Sequence, residues 1–474
     1  MMIGRIGRII MAKVVTAEQK RIMMTEAPLG GLIAKLSIPT VISMMITAFY
    51  NMADTYFVGM LNDPSATGAV GVIFSLMGII QAIGFGFGHG SGNFISRKLG
   101  AGETAQAEIM ATVGFFSAFI AGIVIAALSA VFSRPLVFLL GSTETIADFA
   151  QAYVMWLMPG VPFLMSGLVI NNQLRYQGSA LYAMVGITSG ALLNVALDPL
   201  FIFTLGMGVS GAALATSVSQ FISFILLLLG TRRGGNIRYH FRNFKPTVER
   251  YATIFKGGLP TLARQGLNSL STIVLNIAAG SYGDVAVAAM SIVTRVMGIT
   301  VSAVIGFGQG FQPICGFNYG AGNYTRVRKC FWMCVRIGFI VLLILSSIAF
   351  LFAPQIINVF LSGNAEVIEI GSRTLRLQAA VLPLFSFICI SNMMLQVIGA
   401  STRATLLSSM RSGLFLIPCL LIMDRLFGLA GIEAAQTASD ILTFISALPI
   451  TIPILKCFKQ NRSFIENQKN TGQE

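Results

Sequence analysis

Charged residues are scarce in this chain of 474 residues: Asp, Glu, Lys and Arg together make up 11%, whereas apolar residues make up 55%. A soluble domain of ordinary composition carries about 25% charged residues. The mean hydropathy of +0.78 is accordingly too high for a chain surrounded by water. The composition excludes most soluble enzymes and nucleic-acid-binding proteins, and it indicates a protein that faces lipid over most of its surface.

Motifs that would mark other classes of protein are also missing. The six cysteines form no C-x-x-C pair and all lie in the second half of the chain, which argues against a disulfide framework or a zinc site. No G-x-x-x-x-G-K-[ST] sequence occurs, although a nucleotide-driven pump would need one. The sequence also shows no cluster of nucleophile, base and metal ligands, which a membrane-embedded enzyme would require. We therefore expect neither an enzyme nor a bound metal or cofactor.

Long apolar runs are abundant instead. A hydrocarbon core about 30 Å thick needs about 20 helical residues per crossing, so runs of this length predict an all-α integral membrane protein with twelve transmembrane helices. The runs lie near 36–60, 69–94, 109–132, 149–171, 181–205, 209–230, 257–280, 285–311, 331–353, 374–398, 404–423 and 430–454. A basic linker at 231–256 separates a predicted N-terminal lobe at 36–230 from a C-terminal lobe at 257–454, with cytoplasmic segments at 1–35 and 455–474.

Lys and Arg are distributed unequally between the alternate connections. One side of the membrane holds 24 of them and the other side holds three. Because cytoplasmic loops carry the excess of positive charge, both termini are predicted to be cytoplasmic, in a multi-pass protein of the cell inner (plasma) membrane. The first apolar run is too long for a cleavable signal, and the Met23-Met24 pair is an alternative natural start to Met1.

The two halves of the sequence repeat each other at an offset of 220 residues. Residues 86–90 align with 306–310 and residues 100–102 with 320–322, and 7 of the 17 positions that these segments span are identical. Because each copy contains an even number of spans, both copies have the same orientation. We therefore predict two six-helix lobes related by a pseudo-two-fold axis along the membrane normal, an arrangement typical of alternating-access transporters.

Carboxylates inside the apolar runs are the leading functional candidates, because each costs about 2.5–3.5 kcal/mol to insert into a membrane. Asp54 and Asp198 lie 18 and 17 residues after the cytoplasmic starts of spans 1 and 5, which places both about 26 Å up the membrane. Thr216 in span 6 reaches a similar level. Tyr50 and Asn194 lie one helical turn below the two acids, on the same helix faces. The spacing predicts one polar cluster; a helix cap and a proline kink are the structural alternatives.

A second set of charges lies in the C-terminal half. Arg295 in span 8 and Asp440 in span 12 each lie about 10 residues into spans that run inward from the outer side. A buried ion pair would leave neither charge alone in the membrane. We therefore predict that Arg295 and Asp440 form a structural ion pair, with a role in transport as the alternative.

These features resemble the multidrug and toxic compound extrusion (MATE) family, in particular its prokaryotic branch with DinF- and MepA-like members. The resemblance covers about residues 28–455. It rests on the duplicated twelve-span layout, Pro39 fifteen residues before Asp54, Asp54-x-x-x-x-Gly59, the Gly-Ala-Gly element after spans 2 and 8, and Asn194-x-x-x-Asp198-Pro199. Spans 7 and 10 lack the acids that some relatives carry there, so the resemblance does not extend to a cation site in the C-terminal lobe.

The resemblance implies a two-lobed, V-shaped antiporter that exports amphipathic organic cations, including drugs, in exchange for protons or sodium by alternating access. It implies that Asp54, Asn194, Asp198 and Thr216 form the proton or cation site, with Tyr50 beside them. The alternative within transport is a flippase or exporter of a lipid-linked or metabolite substrate. As partners we expect small organic cations and membrane lipids, no nucleic acid, and a monomeric state.

Overall fold

The structure, a computed structural model, describes residues 16–61, 63–361 and 364–461, with the backbone alone at positions 51, 54, 55 and 64. Within this part of the chain every regular element is helical, as the apolar runs predicted. The helices of the first half are α1 (Ala17–Glu26), α2 (Leu29–Gly59), α3 (Pro64–Gly100), α4 (Thr104–Val131), α5 (Ser133–Leu139), α6 (Glu144–Leu157), α7 (Val161–Tyr176), α8 (Ala180–Pro199) and α9 (Val209–Thr231). Those of the second half are α10 (Val248–Gly280), α11 (Asp284–Gly320), α12 (Tyr324–Leu351), α13 (Ala353–Phe360), α14 (Ala365–Val381), α15 (Phe385–Ile398), α16 (Ser401–Ser409), α17 (Leu416–Phe427) and α18 (Leu429–Lys459).

Eleven helical stretches of the described chain are long and apolar enough to cross a membrane. The predicted span 257–280 fails that test of composition because α10 carries polar side chains, including Arg264, Gln265 and Asn268, along its length. Together with α10, each of the twelve predicted spans nevertheless has a helical counterpart. The fold is that of an all-α, multi-pass membrane protein.

The chain divides into two compact units between Gly258 and Leu259. The basic linker predicted at 231–256 therefore belongs to the first unit. Its contacts show why: the Ile237 backbone N–H donates to Gln177 Oε1 at 2.7 Å, at the end of span 4. The linker packs along the helix ends of the first unit and satisfies their polar groups.

Both units interrupt their fourth span at a proline. In the first unit α6 and α7 are joined by a 3₁₀ turn at Met158–Gly160, and in the second unit α14 and α15 are joined by one at Leu382–Leu384. A short helix, α5 or α13, precedes this span in each unit. The internal repeat read from the glycine pattern is thus also a repeat of helix lengths and helix breaks.

The repeated glycine run lies in α3 and α11, where it allows close approach between helices. A methyl group at Gly90 would overlap the carbonyl oxygen of Ile254, and one at Gly308 would overlap the sulfur of Met393. Small residues at such crossings let helix backbones come together inside a membrane. Close packing within each unit accounts for the run.

The short helix α1 docks on the first unit through a buried lysine. Lys20 is 5% exposed, and its Nζ donates to Ser179 Oγ at 2.9 Å and to Asn236 Oδ1 at 2.6 Å. Met24, also buried, packs against Gly178. Burial lowers the pKa of Lys20 to about 7. The helix before span 1 is therefore fastened to the span 4–5 turn and to the linker.

Candidate functional site

Three of the five side chains predicted to cluster meet in the first unit. Asn194 and Asp198 lie one turn apart on α8 and Thr216 lies on α9, and their exposed fractions are 1%, 0% and 4%. With the amide oriented so that its nitrogen faces the carboxylate, Asn194 Nδ2 donates to Asp198 Oδ2 at 3.2 Å. In that orientation Asn194 Oδ1 accepts from both Oγ1 and the backbone N–H of Thr216, each at 3.2 Å. Asn194 thus connects the carboxylate of span 5 to span 6.

The backbone beside this cluster is irregular, and Pro199 accounts for it. A proline has no N–H to donate and its ring crowds the preceding helical turn. Helix α8 ends at Pro199, and the chain continues as a π turn at Leu200–Thr204, in which Leu205 N–H donates to Leu200 O at 2.9 Å. Single π turns inside helices occur frequently at functional sites. Asp198 therefore lies at the junction between regular and irregular helix.

Asp54 and Tyr50 both lie on α2, in the same unit. The side chain of Asp54 lies outside the described residues, so its place in the cluster stays a prediction. The side chain of Tyr50 is partly buried. Because α2 packs along α8, the helix that carries Asp54 is a direct neighbour of the helix that carries Asp198.

The family to which this arrangement belongs follows from a match over both halves of the chain. The MatE family model matches residues 39–200 and, a second time, residues 260–422. The chain belongs to the MATE family. The two matched segments are the two copies of the internal repeat, and the first of them includes Asp54 and Asp198.

Curated relatives and solved structures agree with this assignment. The Multidrug export protein MepA of Staphylococcus saprophyticus is 25% identical over 415 residues, which cover 87% of this chain and 91% of the relative. MepA of Staphylococcus aureus (strain NCTC 8325 / PS 47) is 25% identical over 428 residues, or 90% and 94% of the two chains.

Two solved structures show the same fold over nearly the whole chain. An outward-facing multidrug resistance MATE family transporter of the MOP superfamily has a TM-score of 0.87 at 26% identity and covers 93% of this chain and 98% of its own. A MOP superfamily transporter from Pyrococcus furiosus has a TM-score of 0.85 at 26% identity, with 92% and 98% covered. This MATE protein is therefore a multi-pass membrane transporter rather than an enzyme.

In the second unit of the MATE protein, Asp440 is paired with an arginine. Arg411 Nε donates to Asp440 Oδ1 at 2.9 Å and Arg411 Nη2 donates to Oδ2 at 3.4 Å. Gln436 Nε2 donates to Oδ1 as well, at 2.9 Å, and the Arg411 guanidinium lies 4.2 Å from the centroid of the Phe385 ring. The side chains of Arg411 and Asp440 are 19% and 5% exposed, so the pair is largely removed from its surroundings.

The predicted ion pair between Arg295 and Asp440 is therefore wrong in its partner. The Arg295 side chain is exposed, and within the described chain its helix α11 is not a main packing neighbour of α18. Depth along a span specifies one coordinate, whereas packing decides which helices are neighbours and which faces meet. The structural pair instead joins the consecutive spans 11 and 12, with Arg411 on the π turn Met410–Leu414.

A second carboxylate of this unit, Glu433, is also neutralised. It is 1% exposed, although its position near the outer end of span 12 suggested contact with water. The Arg373 guanidinium donates from Nε and Nη2 to the two carboxylate oxygens of Glu433. The Arg373 side chain is 51% exposed, so the arginine reaches from the buried acid to the surface.

Gln436 was missed by reasoning from charge alone, although two signals in the sequence indicate it. It lies four residues before Asp440, on the same face of α18, where hydrogen bonding between the two side chains is expected. It also lies 220 residues after Thr216 and so occupies the same position in the repeat. A search for polar residues at repeat-equivalent positions would have found it.

Proposed function

We propose that this MATE protein is a secondary antiporter that exports amphipathic organic cations, including drugs, in exchange for protons or sodium by alternating access. The observation that carries the proposal is the cluster of Asn194, Asp198 and Thr216, a carboxylate buried between membrane-spanning helices. The relatives named Multidrug export protein MepA support drug export as the direction of transport.

Asp198 is suited to carry a proton because its surroundings serve both protonation states. A carboxylate removed from water favours the neutral acid unless a cation compensates it, and the neighbours Asn194 and Thr216 are neutral. The Asn194 amide donates to the ionised carboxylate, and Thr216 holds that amide in orientation. A proton can therefore arrive or leave while the amide keeps its place.

The same carboxylate couples the proton to the substrate. An ionised Asp198, together with Asp54 on the neighbouring helix α2, attracts an organic cation. A proton from the outer side removes this attraction, so the substrate leaves outward, and release of the proton to the cytoplasm restores it. Substrate and proton thus compete for one charge, and repacking of α2 against α8 transmits the change.

The proposal places the protein in the plasma membrane as a monomer surrounded by lipid, with both termini in the cytoplasm. The support is the imbalance of 24 against 3 Lys and Arg residues between the two sets of connections. Labelling of single surface cysteines in intact cells measures this orientation, and labelling of the C-terminal segment from outside would reverse it.

Transport by purified protein in vesicles tests the antiport. The vesicles hold a fluorescent cationic dye, and a pH gradient is imposed at constant sodium, or a sodium gradient at constant pH. We expect dye movement against its own gradient under the pH gradient, with protons moving in the opposite direction. Movement under sodium alone would replace the proton by sodium at the same site. Absence of dye movement under both gradients would contradict antiport.

A further inference from the structure

A cavity of about 620 Å³ opens at one end of the second unit, outside the polar clusters described above. Its walls come from the end of α12, from α13 and from one face of α14. Apolar side chains, among them Phe350, Pro354, Ile368 and Leu377, make most of the lining. Three charged side chains, Glu369, Arg373 and Arg376, complete it.

The cavity lies where the spans leave the hydrocarbon core. The adjoining chain exposes apolar side chains on a short helix, with Leu351 at 68% and Val359 at 83% exposed. A short helix with exposed apolar residues at the end of a span is typical of a membrane interface. In the first unit, Trp156 lies within one residue of the repeat position of Arg376 and is 45% exposed. Tryptophan is enriched at the membrane–water interface, so Arg376 is at the level of lipid headgroups.

Two opposite charges of the lining are available to a ligand. Among the described residues, neither Arg376 nor Glu369 has an oppositely charged atom within 4.0 Å. Arg376 Nε donates to Phe350 O at 3.2 Å and its guanidinium lies 5.9 Å from the Phe350 ring centroid, which leaves both terminal nitrogens directed elsewhere. Arg373 is instead held by Glu433.

We propose that this cavity binds one phospholipid with a primary-amine headgroup, a phosphatidylethanolamine. The phosphate accepts from the Arg376 guanidinium, whose planar donor pattern matches phosphate oxygens. The ammonium group, a few atoms away in the same headgroup, donates to the Glu369 carboxylate. The acyl chains lie against the apolar wall formed by Phe350, Ile368 and Leu377.

The lining distinguishes this lipid from related ligands. A free phosphate would leave the apolar wall uncovered. An anionic headgroup would meet Glu369 as well as Arg376, with repulsion offsetting attraction. A choline headgroup has no N–H to donate to Glu369. Only a headgroup with a phosphate and a primary ammonium satisfies both charges, since each then gains a charge-assisted hydrogen bond.

Native mass spectrometry of delipidated protein, titrated with dioleoyl lipids carrying ethanolamine, choline or glycerol headgroups, measures the binding. We expect one ethanolamine lipid to bind with at least about tenfold preference, which is the discrimination that one charge-assisted hydrogen bond provides. Arg376→Gln should weaken its binding about tenfold. Glu369→Gln should remove the preference for ethanolamine over choline. The control Arg134→Gln alters an exposed arginine on the short helix of the first unit and should bind as the unchanged protein does.

Three results would overturn the proposal. One is unchanged binding of the ethanolamine lipid to the Arg376→Gln protein. Another is tighter binding of the glycerol lipid than of the ethanolamine lipid. The third is displacement of the lipid by millimolar inorganic phosphate, which would make the cavity a phosphate site. If Arg376→Gln does not purify, Leu377→Trp fills the cavity and should abolish binding, and retained binding by that variant would equally contradict the assignment.

Discussion

The two units place a polar cluster on the same pair of helices in the repeat, and the clusters differ in charge. Spans 5 and 6 hold Asp198 beside neutral side chains, whereas spans 11 and 12 hold Asp440 against Arg411. Thr216 and Gln436, which lie 220 residues apart, supply a polar neighbour at the equivalent position in both units. Duplication has therefore preserved the location of the cluster and changed its electrostatics.

An acid beside neutral groups and an acid paired with an arginine have different uses. Two hydrogen bonds from Arg411 stabilise the ionised form of Asp440, so its charge stays constant and ties two helices together. Asp198 can exchange a proton without breaking an ion pair, which a coupling site requires. The comparison teaches that one copy of a repeat can keep a structural cluster while the other copy carries the chemistry.

The largest effect on this comparison should come from removing the acids of the first unit. Asp198→Asn should lower gradient-driven dye efflux to the level of empty vesicles, because an amide cannot carry the proton. Its free energy of unfolding should change by less than about 1.5 kcal/mol, since the amide still hydrogen-bonds to Asn194. Asp54→Asn should have the same effect on efflux, and the double variant should be no worse than either single one, because both acids act as one unit.

Asp148→Asn is the control for these variants, because its carboxylate is 82% exposed on the same unit. It should transport at the unchanged rate. Full dye efflux by the Asp198→Asn protein would remove the distinction between the two clusters.

The next largest effect should be on stability, in the second unit. Asp440→Asn leaves Arg411 buried without its counter-charge and should lower the free energy of unfolding by about 3–5 kcal/mol. Efflux per folded molecule should be retained. Thermal unfolding in detergent and dye efflux normalised to folded protein measure the two quantities.

Arg295→Gln provides the matched control, since this side chain is exposed and lies apart from the pair. Its effect on unfolding should stay within about 0.5 kcal/mol. Loss of transport at normal stability in the Asp440→Asn protein would instead give the second cluster a coupling role.

A smaller, asymmetric effect is expected at Arg373 and Glu433. Arg373→Gln leaves a fully buried carboxylate without its partner and should cost about 2–3 kcal/mol. Glu433→Gln leaves an arginine that is already half exposed and can turn to solvent, and it should cost less than about 1 kcal/mol. Equal losses in thermal unfolding for the two variants would show that burial does not determine the cost.

The smallest expected effect concerns the docking of α1 on the first unit. The pKa of Lys20 is about 7 in the folded protein against 10.5 for a free lysine, so between these values the unfolded chain binds more protons. Stability from this docking should therefore rise as the pH increases from about 7 towards 10. Hydrogen exchange of α1, corrected for intrinsic rates, should be slower at pH 8.5 than at pH 6.5, and Lys20→Met should abolish the difference. Equal protection of the unchanged protein at both pH values would contradict this.

The apolar runs determined much of the fold without any tertiary information. Each window of about 20 apolar residues became a helix because a chain in lipid must satisfy its backbone hydrogen bonds internally. The offset of 220 between the glycine runs likewise determined that the chain is duplicated. In the first unit, the spacing of Asn194 and Asp198 on one helix face predicted their contact, since residues four apart on a helix are neighbours.

What only the tertiary structure decided is which helix faces meet. Arg295 and Asp440 agree in depth, yet packing brings Arg411 to Asp440 because spans 11 and 12 are neighbours and a π turn lies at Arg411. The burial of Lys20, which takes its acceptors from Ser179 and from Asn236, also depends on segments far apart in the chain. Helical periodicity is a local property of the sequence, whereas the partner of a buried charge depends on the packing of whole helices against one another.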